Sequence, residues 1–326
     1  TIIAENKKKK RMEKFVIDTD PGTDDAQAIL MAAAHPNVEI LALTIVGGNV
    51  GLDQTVRNAL TTLEASGKPE VPVYAGCGTH LVHQPEDAAF VHGEDGLGDQ
   101  GLRPKTRDGP TSTKHASLAL LDLVNDHVGE ITLVALGPLT NIAIALKLDP
   151  ALPTKLKRFV DMGGAVTGRG NTSNLKAEFN IFKDPEAALI VFEGWAECNR
   201  AIEVVDWEVT IRCGIPCDVM TELAETETPK GKFFDDVTRN SRIWSKERFG
   251  HDTLYCADPL AMAVAVDPMC VIKSETHYMA IEVEGKYGRG QTIVDWDDTT
   301  GKPKNAKIVM DVNHDTFFDL LRQSLL

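Results

Sequence analysis

The most informative stretch of the chain is FVIDTDPGTDDAQAILMAA, residues 15–33. It opens with three apolar residues, passes through a Pro-Gly pair at 21–22 and ends in a run rich in alanine and other apolar residues. This order predicts a buried strand, a turn and then a helix. The junction between strand and helix carries four carboxylates: Asp18, Asp20, Asp24 and Asp25. The stretch therefore predicts an acidic loop at the end of a buried strand.

The four aspartates of this loop need compensation, because crowded like charges are costly unless a cation or hydrogen-bond donors offset them. An all-oxygen ligand set suits Ca²⁺ or Mg²⁺ and does not suit zinc or copper. An EF-hand does not fit, since a loop starting at Asp18 or Asp20 lacks a Glu at the required final position. The acidic loop therefore favours a metal-dependent enzyme.

Each acid has a simpler explanation when it is taken alone. Asp24 and Asp25 fall in the first turn of the predicted helix, where negative charge favours the helix dipole. Asp18 can cap or close the turn. These roles account for single residues and not for four acids together, so the metal site remains the stronger interpretation.

The composition is that of an ordinary globular protein. The chain has 326 residues, of which 43% are hydrophobic and 25% charged, and this fits one large α/β domain or two smaller ones. A net charge of −14 argues against nucleic acid or an anionic membrane as a partner. No apolar run is long enough to span a bilayer. The six cysteines form no Cys-x-x-Cys pair, so we expect reduced thiols in a cytoplasmic protein.

The first twelve residues differ from the rest, since a basic block at 7–11 stands directly before Met12. We expect residues 1–12 to be a disordered tail or a remnant of expression, with Met12 as a candidate native start. A nuclear-targeting signal is the alternative. Residues 13–326 then form the folded domain.

Short β-rich runs alternate with helical patterns along this domain. The predicted strands are 14–18, 38–46, 71–75, 131–136, 158–162, 201–206, 279–284 and 307–311. The predicted helices include 26–35, 53–66, 115–127, 139–147 and 184–193. Such alternation predicts βαβ units in a single α/β domain, with a mainly parallel sheet covered on both faces. Residues 208–256 read as mostly helical and irregular, and we expect them to form a lid.

Polar residues recur where several predicted strands end. They stand in Val46-Gly47-Gly48-Asn49, Leu136-Gly137-Pro138-Leu139-Thr140-Asn141, Met162-Gly163-Gly164 and Gly170-Asn171-Thr172-Ser173. A single glycine at such a place is usually turn chemistry. In open parallel sheets, however, ligands bind outside the carboxyl ends of the strands. Repetition at successive strand ends therefore predicts a ligand site at that edge.

At this point the residues resemble a known family, the calcium-dependent nucleoside hydrolases, whose amino-terminal signature is DxDxGxDD. The signature matches 18–25. The other resembling elements follow in the family's order: 46–49, His92-Gly93-Glu94-Asp95-Gly96, 137–143, 162–164, 170–171, Ala177-Glu178-Phe179-Asn180, 184–188 and Asp258-Pro259-Leu260-Ala261. The resemblance runs from about residue 14 to the carboxyl terminus.

The resemblance implies an open, Rossmann-like α/β fold, a Ca²⁺ cofactor and a homodimer or homotetramer. The implied reaction is hydrolysis of the N-glycosidic bond of a ribonucleoside to free base and ribose. The implied metal ligands are Asp20, Asp25, Asp258 and the carbonyl of Leu136. The implied ribose-binding residues are Asp24, Asn49, Asn171, Glu178 and Asn180, and His92 and Phe179 are further candidates for substrate binding. Asp20 is also the implied general base, and Asn174 competes with Asn171 for its role.

The implied roles agree with the chemistry of the reaction. Cleavage at the anomeric carbon develops positive charge and needs water on one face of the sugar. A metal ion can orient and acidify that water while a carboxylate takes its proton. Buried amides and carboxylates that pair with each hydroxyl reject a sugar lacking one. We therefore expect ribonucleosides to be preferred over 2′-deoxyribonucleosides.

One position departs from the family pattern. A subgroup has a His directly before the last metal-binding Asp, as the acid for the leaving base, and this chain has Ala257 there. The candidates for a replacement acid are His251, Tyr255 and Cys256, with His92 in an earlier loop. Phe179 and Trp244 are candidates for stacking on the base. We expect turnover of inosine and uridine, and the preference between purine and pyrimidine stays open.

Two other functions compete with this interpretation. Asp18-Thr19-Asp20 at a strand end resembles the nucleophile loop of haloacid-dehalogenase-like phosphatases, although Pro21 interrupts it and the Asp24-Asp25 pair is left unexplained. A non-catalytic nucleoside- or ribose-binding protein is the second alternative. A binder has no need of a water-activating base, so the retention of Asp20 argues against it.

Overall fold

The computed structural model describes residues 12–84, 88–250 and 253–326, without the side chains at 248 and 249. The predicted tail, apart from Met12, and the candidate acid His251 lie outside these residues.

The core of the fold is a nine-stranded sheet. Its strands are β1 (Glu13–Thr19), β2 (Val38–Ile45), β3 (Val73–Ala75), β4 (Ile131–Ala135), β5 (Arg158–Met162), β6 (Ile202–Val205), β9 (Val271–Ile281), β10 (Thr292–Asp295) and β11 (Ala306–Val312). Their order is β10-β9-β11-β6-β5-β4-β1-β2-β3. In this order, the strands β3, β2, β1, β4, β5, β6 and β11 pair in parallel with their neighbours. Strand β9 pairs antiparallel with β11, and β10 pairs antiparallel with β9. The strands β7 (Ile215–Pro216) and β8 (Thr253–Leu254) form a separate pair.

Helices cover both faces of this sheet. They are α1 (Thr23–Ala34), α2 (Leu52–Ala65), α3 (Ala89–His92), α4 (Ala116–Asp126), α5 (Thr140–Leu148), α6 (Leu152–Lys155), α7 (Phe179–Lys183), α8 (Pro185–Glu197), α9 (Trp207–Arg212), α10 (Cys217–Ala224), α11 (Pro229–Phe249), α12 (Ala257–Val266) and α13 (His314–Ser324). Alternate residues of β1 enter opposite cores: Phe15 and Ile17 pack with α1 and α12, and Val16 packs with α4, α5 and α8. This alternation confirms a sheet buried on both sides.

The predicted α/β architecture is confirmed, and the differences lie at the antiparallel edge. The strand predicted at 279–284 begins much earlier, at Val271, and β10 was not predicted. These edge strands carry exposed residues such as Ile272 and Ile293, so their pattern is weaker than that of the buried parallel strands. The 208–256 segment contains α9, α10 and α11 but also the short β7–β8 pair. No helix in the described residues is long and apolar enough to cross a membrane.

The strand order places one crevice at the centre of the sheet. From β1 the chain runs outward through β2 and β3, and β4 then returns to the other side of β1. Helices that follow β1 and β4 therefore lie on opposite faces, which leaves a gap above the carboxyl ends of these two strands. The acidic loop follows β1 at this gap, and Leu136 follows β4 beside it.

Candidate active site

The acidic loop is held by its own backbone and by Thr19. Helix α1 begins at Thr23, so Asp24 and Asp25 occupy its first turn. One carboxylate oxygen of Asp25 accepts the Thr19 hydroxyl, and the other accepts the N–H of Gly22 at 2.8 Å. These two bonds connect the Asp25 side chain to residues that precede it in the turn and fix it inside the protein, where it is fully buried.

Asp20 lies in a space that two glycines leave free. A Cβ on Gly48 would come within 2.0 Å of its Oδ2, and one on Gly137 within 2.4 Å of its Oδ1. Oδ2 accepts the N–H of Asn49 at 2.7 Å, whereas buried Oδ1 has no hydrogen-bond partner among the described residues. One oxygen of a fully buried carboxylate is thus left for a group that the protein does not supply.

A fourth acid comes from a distant part of the chain. Asp258, in the first turn of α12, is 3% exposed. Asp24, Asp25 and Asp258 each place an oxygen within 4.8 Å of the other two. Helix α12 packs directly against α1, which brings Asp258 to the loop. We call Asp20, Asp24, Asp25 and Asp258 the acid cluster.

The electrostatics of the acid cluster are unfavourable without a cation. Burial, then the charge of Asp25, raises the pKa of Asp20 well above its usual value. Burial and the charges of Asp24, Asp25 and Asp20 do the same for the pKa of Asp258. The pKa values of Asp24 and Asp25 are raised to about 6, with burial again the largest cause. Hydrogen bonds and Lys183 offset part of this cost for Asp20, and protonation or a bound cation would offset the rest.

The acid cluster fits a divalent cation that prefers oxygen. Its donors are carboxylates, one oxygen of Asp20 is unpartnered, and glycines keep room around it. The carbonyl of Leu136, the fourth predicted ligand, accepts the Asn180 side-chain amide at 2.9 Å and keeps a second lone pair. This donor set is that of a Ca²⁺ or Mg²⁺ site.

The opposite wall of the crevice is built around Glu178, which is 1% exposed. Its carboxylate caps α7 by accepting the N–H groups of Asn180 at 2.7 Å and Ile181 at 3.1 Å, and it accepts Gly164 N–H at 3.0 Å. Burial outweighs these donors and raises the pKa of Glu178 to about 7. The Asn180 amide bridges the carbonyls of Leu136 and Met162. This wall is therefore fixed by the ends of β4 and β5.

Asn49 and His92 link the acid cluster to neighbouring loops. The Asn49 amide donates to the Asp20 carbonyl at 3.2 Å and to Asp25 Oδ2 at 3.0 Å. His92 accepts the N–H of Thr23 on Nδ1 at 3.1 Å, and this Nδ1 lies 3.8 Å from Asp24. Burial lowers the pKa of His92 to about 4, so the ring is neutral and carries its proton on Nε2.

The two candidate asparagines of the 170–177 loop differ in what their side chains do. Asn174 is fully engaged, because its oxygen accepts the N–H groups of Lys176 and Ala177 and its amide donates to the Arg289 carbonyl. Asn171 is exposed, and its backbone N–H donates to the Ala177 carbonyl. Asn174 therefore shapes the loop, which leaves Asn171 as the candidate for contact with a ligand.

Two basic residues near the site were not predicted. Lys183 is 3% exposed, lies 5.5 Å from the Phe179 ring and lowers the pKa of Asp20. His80 is 9% exposed, and burial and the charge of Lys183 lower its pKa to about 4. Lys183 stands three residues after Asn180, so both lie on one face of α7. That signal exists in the sequence, but the short helix was not predicted.

The candidates for a leaving-group acid lie in different surroundings. Tyr255 packs edge-on against Trp207, with ring centroids 6.1 Å apart. Cys256 is buried, and burial together with the charge of Asp24 raises the pKa of its thiol well above the usual value. The rings of Trp244 on α11 and Phe90 on α3 pack together, with their centroids 6.1 Å apart. Helix α11 of the 208–256 segment therefore contacts the helix that carries His92.

The phosphatase alternative is not supported by the surroundings of Asp18. This residue is fully buried, and its Oδ2 accepts the Thr44 hydroxyl at 2.6 Å and the Asn141 amide at 3.0 Å. Burial raises its pKa to about 7. A nucleophile needs a charged and reachable oxygen, so Asp18 is a structural residue below the site.

Comparison with known proteins gives the same assignment from independent information. Residues 15–319 match the family model described as inosine-uridine preferring nucleoside hydrolase. The chain is 42% identical over 257 residues to Uridine nucleosidase 1 of Arabidopsis thaliana, covering 78% of this chain and 74% of that protein. It is 34% identical over 310 residues to the pyrimidine-specific ribonucleoside hydrolase RihB of Escherichia coli, covering 95% of this chain and 96% of that protein.

A solved structure gives the same result for the fold. The purine-preferring ribonucleoside hydrolase from Gardnerella vaginalis superposes with a TM-score of 0.86 at 31% identity, over 96% of this chain and 98% of that one. With its acid cluster at the end of β1 and Asp258 brought to it by α12, the chain belongs to the inosine-uridine preferring nucleoside hydrolase family.

Proposed function

We propose that this chain hydrolyses ribonucleosides to base and ribose with Ca²⁺ held by Asp20, Asp25, Asp258 and the Leu136 carbonyl, and with Asp20 as general base. The observation that carries the proposal is the buried acid cluster, in which Asp20 Oδ1 has no partner among the described residues. A cation would compensate the crowded charges of the cluster at neutral pH, and oxygen donors select a hard one.

The chemistry follows from the position of Asp20. Ca²⁺, when bound, would orient and acidify a water molecule and keep the carboxylates ionised. Asp20 then takes a proton from the water that attacks the anomeric carbon. Gly48 and Gly137 leave room for its carboxylate, which the Asn49 N–H holds, and the negative charges around it stabilise the oxocarbenium character of the transition state.

The ribose lies between the acid cluster and the Glu178 wall. Asp24, Asn49, Asn171, Glu178 and Asn180 are the proposed partners of its hydroxyls, because carboxylates and amides match groups that both donate and accept. A missing hydroxyl would leave buried partners unpaired, so 2′-deoxyribonucleosides are poor substrates.

The leaving base is activated without the His that Ala257 replaces. His92 carries its proton on Nε2 and can donate a hydrogen bond to the substrate. Cys256 is a poor acid, because its thiol pKa is raised well above the usual value. Tyr255 and His251 remain proposals for this role, and Phe179 and Trp244 for stacking. Relatives are named for uridine and for purine substrates, so we propose that both inosine and uridine are turned over.

The assembly and the domain division also remain proposals. We propose a homodimer or homotetramer, and a lid formed by 208–256, whose helix α11 packs against α3, α2 and α1. The lid would close the crevice from the side of Trp244.

The test is release of reducing sugar from inosine and uridine by the purified protein, before and after removal of divalent ions. We expect turnover that stops on chelation and returns with Ca²⁺, and weak or no turnover of the 2′-deoxy analogues. Turnover that is unchanged by exhaustive chelation would refute the metal assignment. Tight nucleoside binding without sugar release would instead favour a binding protein.

A further inference from the structure

A second group of metal-ligating side chains converges far from β1, within the part of the chain that the structure describes. Cys213, Asp311 and His314 each place one ligand atom within 4.8 Å of the other two. They come from three elements: the residue after α9, the end of β11 and the start of α13. We call them the C-terminal triad. None of the three belongs to the acid cluster or to the Glu178 wall.

Irregular pairing at the end of β11 explains the position of Asp311. The register of β11 against β9 shifts on both sides of this residue, and such a bulge re-aims a side chain out of the regular pleat. The guanidinium of Arg212 donates to the Met310 carbonyl at 2.9 Å. This bond ties the end of α9, and Cys213 directly after it, to the same end of β11.

The other two members are oriented by their neighbours. Cys213 is 2% exposed, and its backbone N–H donates to the Val209 carbonyl at 2.9 Å. His314 is exposed, and its ring lies 6.1 Å from the ring of Phe318 one turn further along α13. The triad therefore has a buried sulfur at its base and an imidazole at its mouth, so an ion can enter from solvent.

We propose that the C-terminal triad binds Zn²⁺ through the Cys213 thiolate, the Asp311 carboxylate and the His314 imidazole. A mixed sulfur, nitrogen and oxygen set favours zinc, whereas the all-oxygen acid cluster favours calcium. Zinc bonds of about 2.0–2.3 Å place ligand atoms about 3.5 Å apart. The ligand atoms lie within 4.8 Å of one another, so they need to approach by at most about 1.3 Å, and rotation of the exposed His314 can supply part of this. The Val312 N–H, which donates to Asp311 Oδ1 at 3.0 Å, would hold the carboxylate ligand in place.

The bound ion would clamp the carboxyl-terminal helix onto the sheet. It would join α9, β11 and α13, of which α9 and β11 are already connected by the hydrogen bond from Arg212 to the Met310 carbonyl at 2.9 Å. Helix α13 packs against α1, the helix that carries Asp24 and Asp25. Zinc would therefore stabilise the fold from a site that does not touch the substrate.

The experiment uses the full chain, freed of metal and then saturated with Ca²⁺, titrated with Co²⁺ as a spectroscopic substitute for Zn²⁺. Thiolate ligation gives an intense sulfur-to-cobalt charge-transfer band that oxygen ligands do not give. We expect this band in the wild type, its displacement by Zn²⁺, and a rise in Tm on addition of Zn²⁺. Cys213→Ser should abolish the band, and His314→Ala should weaken Zn²⁺ binding at least about 100-fold, beyond what loss of an outer-shell partner costs.

The matched control is Cys217→Ser, which removes an exposed cysteine of α10 near the triad in sequence and should keep the band and the Tm shift. His314→Ala keeps the proposal testable if Cys213→Ser fails to fold, because His314 is exposed and its replacement leaves the core intact. The proposal is overturned if the wild type gives no thiolate band, or if the band and the Zn²⁺-induced Tm shift survive in His314→Ala.

Discussion

The two walls of the crevice solve the burial of carboxylates in different ways. The Glu178 wall satisfies its carboxylate with three backbone N–H groups and anchors the neighbouring Asn180 on two carbonyls. The acid cluster gathers four aspartates and leaves Asp20 Oδ1 without a partner in the described residues. One wall is complete in the protein alone, and the other requires a ligand to be complete. The difference separates the part of the site that is preorganised from the part that a cation assembles.

Removal of the charge of Asp20, the proposed base in the acid cluster, should have the largest effect. Asp20→Asn deletes the proposed base and a metal ligand, and we expect kcat to fall by about 10³–10⁴-fold for inosine. The same variant should raise Tm in the absence of metal, because a buried like charge is lost.

The control for Asp20→Asn is Asp161→Asn on β5, another buried acid whose pKa is raised well above its usual value by burial. It should keep most of the activity, because Asp161 lies outside the acid cluster and interacts instead with the charge of Glu178 in the opposite wall. Comparable losses of kcat in both variants would mean that activity depends on any buried acid and not on membership of the acid cluster.

The second largest effect is expected from a substitution that displaces the Asp20 carboxylate. Gly137→Ala would place a Cβ 2.4 Å from Asp20 Oδ1, so the carboxylate must move by a fraction of an ångström to an ångström. We expect kcat to fall by about 100-fold, since displacement of that size has this effect in well-aligned sites. Gly51→Ala is the matched control, because a Cβ there meets nothing within 4 Å. A fully active Gly137→Ala would show that the alignment of Asp20 is not limiting.

The preorganised wall should tolerate more. Glu178→Gln keeps the size of the side chain but loses charge-assisted bonds to backbone N–H groups and to the sugar. We expect kcat/KM to fall by about 10- to 30-fold, the equivalent of one hydrogen bond to a charged group. The rise in Tm on addition of Ca²⁺ should equal that of the wild type. Loss of that Tm rise in Glu178→Gln would mean that Ca²⁺ binding depends on both walls, which would contradict the distinction between them.

Sequence patterns predicted the buried parts of this protein well and its irregular parts poorly. Parallel strands such as β1 are buried on both faces, so their apolar runs stand out, and the signature at 18–25 predicted that several acids would meet. The short helix α7 and the edge strand β10 carry little periodicity. Lys183 was missed for this reason, because its place beside the site depends on α7 being a helix.

The last expected effect is on stability and not on activity: the pH dependence of the free energy of unfolding differs between the walls. Burial raises the pKa of Asp24 from 3.8 to about 6 and that of Glu178 from 4.5 to about 7. The folded protein therefore holds protons that the unfolded chain has released, so the free energy of unfolding falls as pH rises through these windows, by up to about 3 kcal/mol for each group. Ca²⁺ should remove the contribution of Asp24 to this pH dependence, because the cation favours the charged form of the carboxylate. It should leave the contribution of Glu178 unchanged.

Denaturant unfolding between pH 4 and 7.5 measures both contributions, with chelator or with Ca²⁺, in the wild type and in Glu178→Gln. The wild type should lose less stability on raising the pH when Ca²⁺ is present. The slope that remains with Ca²⁺ should be smaller in Glu178→Gln than in the wild type, because the group that titrates up to about pH 7 is gone. If Ca²⁺ leaves the slope of the free energy of unfolding against pH unchanged, the cation does not neutralise the acid cluster. The acid cluster would then not differ from the Glu178 wall in needing a cation.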